Sequence, residues 1–307
     1  MNSPLVVVVV LNYNGKRWIE PCLASLAGTV YDNYKVILVD NASADGSAEG
    51  AVNKFPEVDV IFVSDNLGFS AGNNVGINKA LAEGAEYVVL LNPDTTVEPG
   101  WLQELILAGQ ETPGAGILGA VQLVYEGNEF NTWTMEALAA YLDELADPAH
   151  ARRSISVDWV EGACFAVKRR VFEEVGLLDP LYTAFYEEID FCRRAACLGY
   201  QTVVVPRSRI HHYRSGIWKS DAQLRRRRNY LCDRSQFIYH LTEPRYSLIH
   251  NFGWYLITLA TKTKEVLRQR EGARAWDLLK MQVDLLTNST VILKNWRRNH
   301  SRYGNIG

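Results

Sequence analysis

Cysteine is scarce and unpaired in pattern: the 307-residue chain has five, Cys22, Cys164, Cys192, Cys197 and Cys232, with no Cys-x-x-Cys spacing. An odd, scattered set supports neither a disulfide framework nor a zinc site, and a reducing cytosol fits it best. Long apolar runs are missing too. Residues 5–11 are strongly apolar, but no cationic segment precedes them and Asn12-Tyr13-Asn14 closes the run, so a secretory signal is not expected. The stretch "FGWYLITLA" at 252–260 is far short of the roughly 20 apolar residues that span a bilayer. A soluble or at most peripheral protein is expected. Charge of one sign is lacking as well. A net charge of −3 exerts no general pull on nucleic acid, so an anionic ligand must be gripped by local groups. Neither Gly-x-Gly-x-x-Gly nor a Gly-Lys-Ser/Thr phosphate loop occurs, which weakens dinucleotide and ATP-hydrolase readings. No internal repeat or low-complexity tract is evident.

What remains is an ordinary globular composition, 48% hydrophobic, with a clear alternation of elements. Residues 5–11, 36–40, 58–63, 87–91 and 202–206 are short runs rich in valine, isoleucine and leucine. They read as strands buried on both faces of a mostly parallel sheet. Helical stretches at 16–26, 71–83 and 99–108 lie between them, so the expected class is α/β, a Rossmann-like layered sheet with helices on both faces. Beyond residue 215 strand signals vanish, and 223–241 and 275–296 show helical spacing. The expected division is therefore a catalytic domain over 1–216 and a helical C-terminal extension over 217–307, with a polar, frayed end in "NHSRYGNIG".

In such sheets ligands sit beyond the carboxyl ends of the strands. That rule points to the turns at 12–15, 40–46, 66–72 and 92–96. Asn12, Tyr13 and Asn14 offer amide and aromatic groups to a small ligand. Asp40 ends the second strand, followed by Asn41, Ser43, Asp45 and Gly46; it reads either as an acceptor for ribose or base hydrogen bonds or as a helix cap. Gly68, Gly72 and Gly76 recur every fourth residue. With Ser70 capping a helix from Ala71, two of these glycines share a face that allows close helix packing or close ligand approach. The acid-rich "FYEEIDFCRRAACLGY" reads as a helix stopped by Gly199, with Glu187, Glu188 and Asp190 in its first turn. Asp190 is spaced to pair with Arg194, and any of the three acids that stays ionised could act as a general base. His211 and His212 follow the last strand; near Asp94 either is a good ligand for a divalent cation.

The order of the segments is more specific than any one of them. "VVVVVLNYNG", "VILVDNASADGS", "DNLGFSAGNNVGI", "LLNPDTTV", "EGACFAVKRRVFEEVGLLDPLY", "FYEEIDFCRRAACLGY" and "VPRSRIHHYRSG" occur in one run. Over residues 5–216 this resembles the family 2 glycosyltransferases, especially the bacterial rhamnosyltransferase-like branch. The resemblance implies a nucleotide-diphospho-sugar transferase (glycosyltransferase A-type) fold and an inverting transfer. It implies that Asp40 recognises the nucleotide, with Asn12–Asn14, Asn41, Ser43, Asn66, Gly68, Phe69, Gly72 and Asn73 lining the donor. Asp94 matches the last acid of the family's D-x-D metal motif, whose first position is here Asn92. With one carboxylate there, affinity for Mg2+ or Mn2+ should be modest. His212 fits the later metal or diphosphate ligand. Glu187-Glu188 match the family's acid pair, which makes Glu188 the expected base and Asp190 the alternative. Trp159, Glu161 and Gly162 match the segment flanking sugar and acceptor. The implied partners are a nucleotide-sugar donor, dTDP-rhamnose first and UDP-sugars next, and a glycan or lipid-linked acceptor. A sugar nucleotidyltransferase and a catalytically idle sugar-binding homologue are the competing readings. The basic "RRRR" at 225–228 with Trp254, Tyr255, Trp276 and Trp296 suggests a face for an anionic membrane, or else a solvated helix face beside a packed aromatic core. The expected location is cytoplasmic, at the inner face of the membrane where contact is made; a homo-oligomer is compatible with the sequence.

Overall fold

The computed structural model describes residues 3–214, 221–269 and 272–304. The apolar runs form strands β1 (Val6–Asn12), β2 (Tyr34–Asp40), β3 (Asp59–Phe62) and β4 (Tyr87–Leu91), which pair in parallel in the order β3-β2-β1-β4. Valine after valine suits β1 because alternate residues enter different cores. Val6, Val8 and Val10 meet helices α1 (Ile19–Ala27) and α4 (Trp101–Glu111), and Val7 and Val9 meet α3 (Gly68–Ala82).

Five further strands complete the described sheet beyond β4. They are β5 (Thr95–Val97), β6 (Ala115–Val124), β7 (Ile155–Val157) and β8 (Cys164–Lys168), joined by the long β9 (Gln201–His212). The expected mostly parallel sheet is present, and β8 runs antiparallel between β4 and β6 while β6 and β9 are parallel. β9 is longer than expected because it passes Pro206 on a bulge: Ala120 pairs with Val205 and Val121 with Arg209. His211 and His212 therefore belong to the strand, not to a loop after it. The short β5 pairs with this strand end, Thr95 opposite His212, so the turn at 92–94 is fixed beside the histidine.

Helix α3 begins at Gly68, earlier than expected, and Ser70 is not its cap. Phe69 N donates to Thr183 O at 2.6 Å, which satisfies a first-turn amide, and Ser70 Oγ donates to Tyr182 O. Gly68 has φ +80°, and a Cβ there would lie 2.8 Å from Thr183 O. A Cβ at Gly76 would lie 2.3 Å from Val9 Cγ1, and one at Gly72 2.7 Å from Leu11 Cδ1. The glycine spacing thus serves close helix–sheet packing.

Helix α2 (Ser47–Lys54) follows β2. The short helices α5 (Thr132–Ala137) and α6 (Leu142–Ala146) lead to β7, and α7 (Arg169–Val175) and α8 (Glu187–Cys197) flank the second core. The division expected at 216/217 lies outside the described residues. Beyond it the chain is helical: α9 (Ala222–Leu241), α10 (Leu248–Gln269), α11 (Gly272–Thr287) and α12 (Ser289–Tyr303). These helices share a third core, Phe237, Ile238, Met281, Leu285 and Ile292, with Tyr182 of the α/β layer. The expected fraying of the end does not occur through residue 303. Tyr303 is buried and its hydroxyl donates to Val175 O at 2.8 Å, and Arg298 pairs with Asp179 at 2.9 Å. Residues 305–307 lie outside the described residues. No described helix is long and apolar enough to cross a membrane.

Candidate active site

Strands β1 and β2 end in register, Asn12 opposite Asp40, and their terminal side chains meet. Asn12 Nδ2 lies 3.0 Å from Asp40 Oδ1 and 2.8 Å from Ser47 Oγ, and Ser43 N donates to Asp40 Oδ2 at 3.0 Å. Asp40 is 4% exposed and both its oxygens accept bonds from the protein, so it also organises the turn that follows. Asn14 (φ 51°) interlocks with that turn: its N–H donates to Ser43 Oγ at 2.9 Å and its Oδ1 accepts from Ala44 N. Asn41 Oδ1 accepts from Leu67 N, and its Nδ2 reaches Asn66 Oδ1 and Gly68 O, both at 3.2 Å. Asn12, Asn14, Asp40, Asn41, Ser43, Asn66 and Gly68 are therefore one hydrogen-bonded platform, with Tyr13 exposed at its edge. Gly72 and Asn73 are buried against it. Gly72 packs on Leu11, and the buried Asn73 donates to Phe69 O at 3.0 Å.

Phe69 connects this platform to the second half of the site, because a Cβ on Gly162 would lie 3.7 Å from its ring. Next to Gly162, Glu161 Oε1 forms an ion pair with Arg214 Nε at 3.2 Å. Its Oε2 is buried without a hydrogen-bond partner, 3.9 Å from His212 Nδ1. His212 Nε2 lies 3.4 Å from Asp94 Oδ1. Asn92 turns the chain, with its carbonyl accepting from Thr95 Oγ1 at 2.7 Å, and Tyr213 N donates to Asp94 O at 3.0 Å. His211 instead faces outward, toward Glu98 at 3.6 Å. Trp159 stands 6.0 Å from Trp133 between ring centroids.

The acids of α8 separate by environment. Phe185 and Tyr186, just before the helix, both sit in the left-handed region (φ 66° and 69°), a strained approach of the kind that marks functional sites. Glu187 and Glu188 each have a buried Oε2 without a hydrogen-bond partner. Burial raises Glu188 to about 7, with the charge of Glu161 adding, so Glu161 and Glu188 belong to one neighbourhood. Burial, and then the charge of Glu188, lifts Glu187 well above the usual carboxylate range. Asp190 differs. It is 1% exposed, with Arg193 Nη2 at 2.6 Å and Arg194 Nε at 2.7 Å. Burial alone would raise it, but Arg194 and Arg193 outweigh that and lower it. As an alternative base it is disfavoured by this geometry: both oxygens are committed to ion pairs within α8, and Arg193 carries the network on to Tyr239 O and Glu243 of the C-terminal region.

Among the described residues, no set of three or more His, Cys, Asp and Glu side chains is placed to hold a metal by itself. Asp94 and His212 supply one carboxylate and one imidazole, a donor pair that suits a divalent cation whose other ligands are diphosphate and water oxygens.

The family model for "Glycosyl transferase family 2" matches residues 7–176, more than half of the chain. The chain belongs to glycosyl transferase family 2. The competing nucleotidyltransferase reading falls with that finding. The glycosyltransferase is 27% identical over 249 residues to the N-acetylglucosaminyl-diphospho-decaprenol L-rhamnosyltransferase of Mycobacterium tuberculosis (strain ATCC 25618 / H37Rv), covering 69% of this chain and 77% of that one. It is 29% identical over 194 residues to a low-salt glycan biosynthesis hexosyltransferase of Haloferax volcanii, covering 61% of this chain and 60% of the other. Among solved structures it is similar to S. aureus TarS 1-349 in complex with UDP-GlcNAc (TM-score 0.62, 14% identity, 98% of this chain and 90% of that one). A mannosyltransferase from Pyrobaculum calidifontis in complex with GDP-Man and Mn2+ gives a TM-score of 0.58 at 18% identity, over 99% of this chain and 85% of that one. At these identities the structural likeness shows the fold, the glycosyltransferase A type.

Gln122, Asn131 and Trp133 stand outside every motif of the sequence. Gln122 lies within a glycine-punctuated strand that carried no alternating pattern. Asn131 and Thr134 do carry a capping signature, since Asn131 Oδ1 accepts from Thr134 N at 2.9 Å.

Proposed function

We propose that this glycosyltransferase transfers a sugar, rhamnose in first place, from a nucleotide-diphosphate donor to a hydroxyl of a glycan or lipid-linked acceptor, with inversion. The observation that carries the reading is Glu188, an unpartnered buried carboxylate oxygen raised to about 7, in one neighbourhood with Glu161, His212 and Asp94. A base is most effective with its pKa near the working pH. In the proposed reaction Glu188 takes the acceptor's hydroxyl proton as that oxygen attacks the anomeric carbon from the face opposite the nucleotide. Glu187 lies beside it, its carboxyl pushed up by burial and by the charge of Glu188. The platform of Asn12, Asn14, Asp40, Asn41, Ser43 and Asn66 takes the nucleotide, with Phe69 beside it. Trp159, Glu161 and Gly162 flank the sugar and acceptor, with the Arg214 guanidinium next to Glu161. Mg2+ or Mn2+, gripped by Asp94 and His212, would supply charge stabilisation to the departing diphosphate. Supports for donor and acceptor are the rhamnosyltransferase relative, whose name states a diphospho-decaprenol-linked substrate, and the nucleotide sugars in the structural neighbours.

We assign the catalytic role to residues 1–216 and acceptor-side contact to the helical extension over 217–307. Ile249, Phe252 and Leu256 of α10, spaced i, i+3, i+7, are exposed at 48% or more, a suitable apolar face for the membrane surface that carries a lipid-linked acceptor on its cytoplasmic side. Of the basic tract, Arg226 is paired with Asp277 and Arg228 lies over Phe185, so the apolar face rather than the arginine run carries this part of the reading. The test is nucleoside diphosphate release from dTDP-rhamnose and UDP-sugars with purified protein, with and without Mn2+. Glu188→Gln should lower turnover by roughly 10²–10⁴-fold. Near wild-type turnover in that variant would sink the base assignment, and no release from any donor would favour the idle sugar-binding homologue.

A further inference from the structure

His212 is oriented by a buried chain of amides that begins at a helix start. Thr134 N, in the first turn of α5, donates to Asn131 Oδ1 at 2.9 Å, which fixes the direction of the Asn131 amide. Its Nδ2 must then face Gln122, and it donates to Gln122 Oε1 at 2.9 Å. That contact in turn fixes the Gln122 amide, because a flipped Gln122 would set two NH2 groups against each other. The same Oε1 lies 3.0 Å from His212 Nδ1, so Nδ1 carries hydrogen and donates. In the neutral ring the lone pair is left on Nε2, the atom 3.4 Å from Asp94 Oδ1. The opposite tautomer would set the Nδ1 lone pair against the Gln122 oxygen at hydrogen-bond distance, 3.0 Å, whereas the Nε2 lone pair stands 3.4 Å from Asp94 Oδ1, a wider contact that a cation held by both would relieve. All four residues are 5% exposed or less, so water cannot readily replace a member of the chain. A second knot holds the chain in place: Thr134 Oγ1 donates to Gln122 O at 3.0 Å, and Asn131 N donates to the same carbonyl at 3.0 Å.

We infer that Gln122, itself fixed by Asn131, is a positioning residue that sets the His212 tautomer so that Nε2 is presented beside Asp94 as a cation ligand. The inference rests on the proposed role of His212, and it adds residues that neither the motifs nor the family resemblance include. Amide or carboxylate partners on the far ring nitrogen of a ligating histidine typically change metal affinity 10–100-fold when removed.

The experiment combines two readouts. Long-range proton–nitrogen NMR on 15N-histidine-labelled protein, assigned with His212→Asn, should show the Nδ1–H tautomer in the wild type. Gln122→Leu should lose that signature and weaken Mn2+ binding about 10–100-fold, read by electron paramagnetic resonance titration in the presence of UDP. Gln122→Glu keeps an acceptor for both Nδ1 and Asn131, so it should keep the tautomer and most of the affinity even if the leucine variant folds poorly. An Nε2–H signal in the wild type would overturn the inference, as would unchanged tautomer and Mn2+ affinity in Gln122→Leu. If His212→Asn binds Mn2+ as the wild type does while the tautomer results hold, the ligand role of His212 fails and the positioning chain stands.

Discussion

Asp190→Asn separates a structural acid from a catalytic one. Its carboxylate sits between two guanidiniums that are 3% and 4% exposed, with Arg193 at 2.6 Å and Arg194 at 2.7 Å. Asparagine keeps one oxygen for one arginine and turns an NH2 group toward the other. Arg193 retains Glu243 at 3.3 Å, whereas the remaining described bonds of Arg194 go to the carbonyls of Val175 and Leu177. Leaving a buried charge uncompensated costs about 3–5 kcal/mol. The second acid near Arg193 puts the expectation at the lower end, about 3 kcal/mol. Urea unfolding followed by tryptophan fluorescence reads this as a lower midpoint. Glu174→Ala, which removes the exposed Arg170–Glu174 pair, should move the midpoint little, as surface pairs contribute about 0–1 kcal/mol. The sign of the pH effect follows from the lowered pKa. The contribution of Asp190 is present above its unfolded value of 3.8 and is lost as pH falls through the folded value. An Asp190→Asn protein with the wild-type midpoint and abolished turnover would refute this reasoning and return Asp190 to the chemistry.

Glu188 shows the opposite linkage: its pKa rises from 4.5 to about 7, so its contribution is present below 4.5 and lost as pH rises through 7. Turnover should therefore fall below about pH 7 as the proposed base, Glu188, becomes protonated. Inactive Glu188→Gln should be more stable than wild type at pH 8, by roughly 1–3 kcal/mol, and lose that advantage at pH 4; equal urea midpoints at both pH values would contradict the burial argument. Gly76→Ala should destabilise by about 1–3 kcal/mol, since its Cβ would lie 2.3 Å from Val9 Cγ1 in the packed core. Gly50→Ala, in α2 with nothing within 4 Å, should stabilise by about 0.5–1 kcal/mol, and thermal melts compare the two. Replacing Ile249 and Phe252 by Asp should abolish flotation with anionic liposomes and leave transfer to a soluble acceptor analogue intact; a wild-type protein that does not float removes the membrane contact.

The sequence by itself determined the parallel half of the sheet and the start of the site. Continuous valine and leucine runs are stable only where both faces of a strand are covered, and each run ends in a polar turn that must emerge from the core, so β1, β2 and β4 and their terminal Asn12, Asp40 and Asn92-Asp94 were legible locally. The α8 helix and its Asp190–Arg194 spacing were legible for the same reason: neighbours at helical distance are set by the chain itself. Tertiary structure alone decided the partners. Local period records burial but not what lies opposite, so antiparallel β8, the bulge that carries β9 past Pro206, and the β5–β9 pairing that sets Asp94 beside His212 depend on chain segments far apart in sequence. The two acids of the pair at 187–188 and Asp190 share one helical turn. Only the environment makes Glu188 a carboxylate poised near 7 and Asp190 a salt-bridged anchor, because a buried charge takes its character from the groups brought against it.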